Sequence, residues 1–507
     1  MKRSHGALPR GLTSAARSPL SQGRFGRMFR HLPPARYGAD DGESLENLSV
    51  LGKNMVGLPA DDPSDGPDPE ESGIPALYTY FGQFVDHDLT FDPVSLLTKA
   101  ADPDGLVDFR TPAFDLDNLY GRGPGDQPYM YQDDGKRLAL GGPLTGKGVA
   151  DAKDLPRFND HALIGDPRND ENAIVSQLQG LFQRFHNRLC QDNPKLDLSG
   201  IQRLTRFHYQ YVILNDFLPR IIKDSVLQDL KTDGHFDPRK LRFFHWHNFP
   251  FMPVEFSVAA YRLGHSMIRP GYRLNDDPKN LIAIFPKKNG DPGLTGFQPV
   301  AAGRAIDWGR FIDVDTRAFD GDDKAKQRRL QFAYRIDTSL VGELFELPPK
   351  IVQDQPHSLA LRNLERGFRL GLPSGQSVAK AMGVPVMSDN DIVIGKAVDK
   401  PEKGDVKGPI VKVAGEAFAG NCPLWTYVLA EAAAHQIAVD IPISGARKQI
   451  TTPQLGPVGG RIVAEVFLGI LSGDRSSLVS QDPKWHPSNP NFKLKDIVSY
   501  ALGDELK

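Results

Sequence analysis

Apolar residues recur at helical spacing near residues 76–90, 172–190, 200–230, 256–268, 357–370, 424–438 and 461–472, and each stretch predicts a helix. The clearest is the series Ile174, Leu178, Leu181, Phe182, Phe185 and Leu189, which lines one face of a helix that begins after Asp166-Pro167, a pair suited to a helix start. Strand-like pieces such as Asp391 to Ile394 are short and few. The pattern therefore predicts a mainly α protein, with long irregular loops and very little β structure. Its chain of 507 residues is long enough to bury a large core in one helical unit. We place that unit at residues 71–480, between an N-terminal basic arm with an acidic linker (1–70) and a C-terminal tail (481–507).

Composition narrows the function classes. A net charge of −2 carries no nucleic-acid or membrane signature. No uncharged run reaches transmembrane length: the most apolar stretch, 424–443, is interrupted by Glu431, His435 and Asp440. Two cysteines, Cys190 and Cys422, exclude a disulfide framework and read as buried free thiols. The 41 prolines and 49 glycines call for many long connections between helices. Residues 1–39 hold eight Lys or Arg and no acid before Asp40. A transit-like peptide competes there with a basic arm anchored by Phe25, Met28, Phe29 and Leu32, and the arm is preferred. No apolar core of a secretory signal is seen, and the compartment stays open between the cytoplasm and a non-classical export route. Residues 61–72, with four Asp and two Glu, read as a solvated acidic linker.

The chemistry concentrates in Tyr80-Phe81-Gly82-Gln83-Phe84-Val85-Asp86-His87-Asp88. On a helix Gln83, Asp86 and His87 share a face, while Asp88 points elsewhere, so one helix can serve two sites. Further along lie Thr111-Pro112-Ala113-Phe114-Asp115-Leu116-Asp117, whose oxygens suit a hard cation, and Gly165-Asp166-Pro167-Arg168-Asn169-Asp170-Glu171-Asn172. Then come Tyr261-Arg262-Leu263-Gly264-His265 and Leu361-Arg362-Asn363-Leu364-Glu365-Arg366.

In this order the five segments resemble those of the animal-type haem peroxidases, the peroxidase-cyclooxygenase superfamily, and the likeness is to a bacterial-type member. The resemblance implies a haem peroxidase that reduces hydrogen peroxide and oxidises halides, thiocyanate or small aromatic donors through a ferryl intermediate. It implies His87, Arg168 and Gln83 as catalytic residues and His265 as the axial ligand of the haem iron. Asn363 would orient that ligand, Arg262 and Arg366 would meet the haem propionates, and Asp86 and Glu171 could esterify a haem b. A calcium ion would take Asp88, Thr111, Asp115 and Asp117 with the Ala113 carbonyl. Asn172 departs from a mammalian member whose methionine there bonds to the haem through sulfur, so that link should be missing. The resemblance leaves the oligomeric state and the physiological donor open.

Two rival readings stand beside this one. Phe244-His245-Trp246-His247 resembles the Tyr-His-Trp-His motif of cyclooxygenases, which would make His247 the ligand and the protein a fatty-acid oxygenase. Phe244, however, lacks the oxidisable hydroxyl. The other rival is a non-catalytic, calcium-dependent binding module.

Overall fold

The computed structural model describes residues 25–57, 63–90, 112–247, 249–286, 292–349, 352, 354–398, 400 and 404–503. Thr111, an expected calcium ligand, falls outside them. Helices dominate, and the strands among the described residues form only two-stranded ribbons. No described helix is long and apolar enough to cross a membrane.

The core is built by the helices Leu77–Leu89, Ala173–Asp192, Leu198–Val212, Leu424–Ala434 and Pro457–Gly473. The stripe that predicted Ala173–Asp192 is buried throughout, from Ile174 to Leu189. Asn172 starts this helix by accepting hydrogen bonds from the Ile174 and Val175 amides at 3.1 and 2.9 Å, two donors that the helix itself cannot satisfy. Phe182 of this helix stacks on Phe84 at 4.6 Å between centroids, and Phe81 meets Tyr209 edge-on at 6.0 Å. These aromatic contacts seat the Leu77–Leu89 helix between its two neighbours. The helix Leu494–Leu502 packs against Ala173–Asp192.

Three local expectations change. The segment 256–268 is not a regular α-helix: a wide π turn, Glu255–Ala259, runs into a tight 3-10 stretch, Ala260–His265. Arg262 Nε donates to the Ser257 carbonyl at 2.7 Å, so a side chain takes up a group of the backbone ladder. The helix expected over 424–438 ends at Ala434. Gln436–Asp440, with β-branched Ile437 and Val439, instead pairs antiparallel with Gln449–Pro453.

The third change concerns residues 61–72. Glu71 and Ser72 are buried rather than solvated, and Glu71–Pro75 forms a strand against Phe332–Tyr334. The Glu71 carboxylate receives Arg269 Nη1 at 2.6 Å and both terminal nitrogens of Arg329 at 2.6 and 2.7 Å. An acidic residue is tolerated there because two guanidinium groups are buried with it. In the N-terminal segment Phe25 and Phe29 are buried, and Glu255 accepts from the Met28 and Phe29 amides at 3.0 and 3.1 Å. Both cysteines are buried and free.

Candidate active site

The Leu77–Leu89 helix carries Gln83, Asp86, His87 and Asp88, and the helical repeat sends them to two places. His87 is buried, and its Nδ1 lies 2.7 Å from Asn169 Oδ1. Its Nε2 is 3.6 Å from Glu171 Oε1. Gln83 Nε2 also donates to Glu171 Oε1. Asn172 Nδ2 donates to Gln83 Oε1 at 3.2 Å, while its own Oδ1 is held by the helix amides described above. Backbone donors thus decide which end of Asn172 faces Gln83, and Asn172 decides which end of Gln83 faces Glu171.

Burial sets the ionisation of this cluster. Burial, and then the charge of Arg168, push His87 down to about 4, so the imidazole is neutral near pH 7. Burial pushes Glu171 up to about 7 against the opposing pull of Arg168. The Arg168 guanidinium pairs with buried Asp166 at 2.7 Å and donates to the His87 carbonyl at 3.0 Å. It acts on His87 through its charge and through the bond to the backbone carbonyl.

The Arg168 run is pressed against the acidic loop. A Cβ on Gly165 would lie 2.1 Å from the Asp117 carbonyl oxygen, so the close approach requires glycine. Asp115 and Asp117 of that loop and Asp88 of the Leu77–Leu89 helix each bring a carboxylate oxygen within 4.8 Å of the others. Asp88 is fully buried and its Oδ2 accepts from the Leu116 amide at 3.3 Å and the Tyr209 hydroxyl at 3.2 Å. Leu116 is held at φ 57°, a left-handed turn that folds Asp115 and Asp117 back toward Asp88. Ala113 is buried in the same turn.

On the second side, His265 ends the 3-10 stretch and its Nδ1 lies 2.8 Å from the Asn363 amide. Asn363 comes from the helix Leu359–Arg369, and Arg366 follows it by one turn on the same face. Burial, with Arg262 second, pushes His265 down to about 3, which keeps its ring neutral and able to ligate a metal. A Cβ on neighbouring Gly264 would meet nothing within 4 Å, so the backbone just before His265 faces open space. Arg262 reaches back to Asp86, with Nη1 3.7 Å from Oδ2, and so connects the two sides.

The rival ligand has none of this. His247 is exposed, and Phe244 is packed at 5.2 Å against both Trp246 and Phe251. The turn is fixed from the helix Pro457–Gly473, where Glu465, paired with Arg461, accepts the amides of Arg242, Phe243 and Phe244.

The structure therefore gathers Gln83, His87, Glu171 and Asn172 in one cluster, His265 and Asn363 in a second, and the three aspartates in a third. Asn169, Asp166 and Gln179 were missed as site residues. Asn169 and Asp166 stood within the quoted Arg168 run, but one sequence contains no sign of which neighbour would reach the imidazole.

Known proteins share parts of this sequence and the fold. Residues 103–289 match the family model of animal haem peroxidase. Human thyroid peroxidase is 26% identical over 234 residues, 44% of this chain and 23% of that protein. Drosophila melanogaster peroxidasin is 20% identical over 331 residues, 62% of this chain and 18% of that protein. The chain thus spans less than a quarter of the length of these curated relatives. Among solved structures, peroxidase A from Dictyostelium discoideum superposes with a TM-score of 0.56 at 15% identity, covering 98% of this chain and 96% of that one. Oryza sativa fatty acid alpha-dioxygenase gives 0.51 at 15% identity, over 92% and 79%. At such identities the structures speak for the fold alone, and the sequence likeness to the animal haem peroxidase family is carried by residues 103–289.

Proposed function

We propose that this protein is a haem peroxidase that reduces hydrogen peroxide and oxidises a small anionic or aromatic donor. The observation that supports it most is the pairing of two neutral histidines, one buried and one partly buried, with different partners: His87 held by Asn169, and His265 held by Asn363 with open space at Gly264. That arrangement fits a haem. His265 would ligate the iron through Nε2, Arg262 and Arg366 would meet the propionates, and Asp86 and Glu171 would be the ester-forming carboxylates. The Asp88, Asp115 and Asp117 cluster would hold calcium, with the Ala113 carbonyl. Three gathered carboxylates, one of them fully buried, repel one another unless a cation offsets them.

A bound haem would supply the redox chemistry that cleaves the O–O bond and oxidises the donor. The chain supplies proton transfer and charge. His87, neutral and with Nδ1 engaged, accepts the peroxide proton at Nε2 and returns it to the departing oxygen, which leaves as water. Gln83, oriented by Asn172, holds a small polar molecule at the site and stabilises Glu171. Arg168, anchored on Asp166, favours negative charge developing near His87. Asn363 sets the basicity of His265 from behind. As placed, the Asn363 amide nitrogen faces Nδ1; rotating the amide by half a turn presents Oδ1, the end required when Nδ1 carries the proton.

The test is a visible spectrum and a donor panel on the haem-loaded protein, with fatty-acid oxygen uptake measured in parallel. His265→Ala should abolish the histidine-ligated spectrum and His247→Ala should leave it intact. The opposite result, or lipid oxygenation without peroxide turnover, would transfer the site to the oxygenase reading. A colourless protein that refuses haem would leave only the binding module.

A further inference from the structure

The hydrogen bonds of His87 do not stop at Asn169. Asn169 Nδ2 donates to Gln179 Oε1 at 2.8 Å, and Gln179 Nε2 donates to the backbone carbonyl of Asn118 at 3.3 Å. His87, Asn169, Gln179 and Asn118 are all buried. A carbonyl oxygen can only accept, so the far end of this chain has a fixed polarity. Gln179 must turn its NH2 toward Asn118, which turns its oxygen toward Asn169. Asn169 must then turn its NH2 toward Gln179 and its oxygen toward His87. The ring nitrogen facing that oxygen must carry a hydrogen.

We infer that Gln179 is a positioning residue that, through Asn169, fixes His87 as the Nδ1–H tautomer and so keeps Nε2 free to accept a proton. The inference rests on the reading of His87 as the proton acceptor, and gives that role its structural cause. The alternative tautomer has no costless arrangement: its Nε2–H would face Glu171 Oε1 at 3.6 Å, too long for a hydrogen bond. With hydrogen on Nε2, the bare Nδ1 would face Asn169 Oδ1. Rotating the Asn169 amide moves the clash of two acceptors to Gln179, and rotating Gln179 moves it to Asn118. Each version loses one buried hydrogen bond where no water can repair it, a penalty of about tenfold or more in the tautomer ratio. Gln179 touches neither the peroxide site nor the imidazole. It acts two links away, from the second turn of the Ala173–Asp192 helix, whose interior position holds its side chain in place.

Neutron diffraction from the deuterium-exchanged, haem-loaded protein near neutral pH tests this directly. We expect a deuteron on His87 Nδ1 and none on Nε2. A deuteron on Nε2 would overturn the inference. Because a haem-free crystal reads the same nuclei, failure of haem loading is distinguishable from failure of the tautomer assignment. In Gln179→Leu the Asn169 amide is released, and deuterium should divide between the two ring nitrogens. The carbon monoxide stretch of the reduced variant should then show a second, lower-frequency band where Nε2–H donates to the ligand, and turnover should fall by no more than about twofold, since about half the molecules keep the competent form. A Gln179→Leu protein with deuterium only on Nδ1 and a single unchanged band would show that Asn169 needs no help. The wild-type measurement stands if that variant fails to fold.

Discussion

Replacing Glu71 with alanine removes the carboxylate that binds both Arg269 and Arg329, whose side chains are 3% and 1% exposed. Two guanidinium groups would then be buried without their counter-ion. Breaking a buried ion pair from one side costs about 3–5 kcal/mol, equivalent to about two to four powers of ten in the folding equilibrium. Glu71→Gln keeps the shape and part of the hydrogen bonding, and should cost about half as much. Denaturant unfolding followed by circular dichroism is the assay, with the midpoint shifting at constant slope. The pH dependence has a definite sign. Burial alone would raise the Glu71 carboxyl, but Arg269 and Arg329 together outweigh it and hold the value below the usual range. A lowered folded value means that the stabilisation is complete above the unfolded carboxyl value of about 4.3 and is lost as pH falls through the folded one. The gap between wild type and Glu71→Ala should therefore be flat from about pH 5 to 8 and close only in stronger acid. A loss below about 1 kcal/mol, or a gap that closes as pH rises, would refute the reasoning. Combining Glu71→Leu with Arg269→Met and Arg329→Met in one chain should recover most of the loss, since it removes the stranded charges as well.

Three further outcomes are expected. Stripping calcium, or Asp88→Asn, should lower the melting temperature and alter the haem spectrum, because the three gathered carboxylates adjoin His87; unchanged melting and spectra in a verified calcium-free sample would remove the ion from the account. After peroxide turnover, acidified organic solvent should leave haem attached to the wild type, with Asp86→Val and Glu171→Gln each losing one link, and complete extraction would exclude esters. Iodide and thiocyanate should be oxidised efficiently, bromide less so and chloride poorly near neutral pH, because the Asn172 amide is no sulfur nucleophile and is committed to capping its helix and holding Gln83; chloride rates equal to bromide rates at matched peroxide would contradict this.

The sequence displayed some of this plainly and hid the rest for physical reasons. The grouping of Gln83, Asp86 and His87 on one helix could be read from six residues, and His265 was expected over His247 because the complete Tyr261-Arg262-Leu263-Gly264-His265 run ends there and Phe244 lacks a hydroxyl. Glu71 was misjudged because a local run of acids and prolines describes solvated chain unless its partners are known, and those lie about 200 residues or more away in sequence. The π and 3-10 turns before His265 were hidden because an arginine taking up a carbonyl leaves the apolar period unchanged. Gln179 looked like one more polar residue in an amphipathic helix, since its meaning comes from a backbone carbonyl in a different loop.

That carbonyl belongs to Asn118, the residue after Asp117, and Asn118 Nδ2 also donates to the Phe84 carbonyl on the His87 helix at 3.3 Å. The loop that gathers the aspartates therefore also terminates the amide chain leading to the imidazole. An ion held by these aspartates and the hydrogen on His87 would draw on the same few residues of backbone, and free energy exchanged between them would have to be reciprocal. If ion binding draws the Asn118 carbonyl nearer to Gln179, a molecule at the peroxide site that prefers a bare Nε2 must in turn tighten the hold on the ion by the same factor. Cation affinity, measured far from any redox step, would then be a gauge of the hydrogen on a single ring nitrogen.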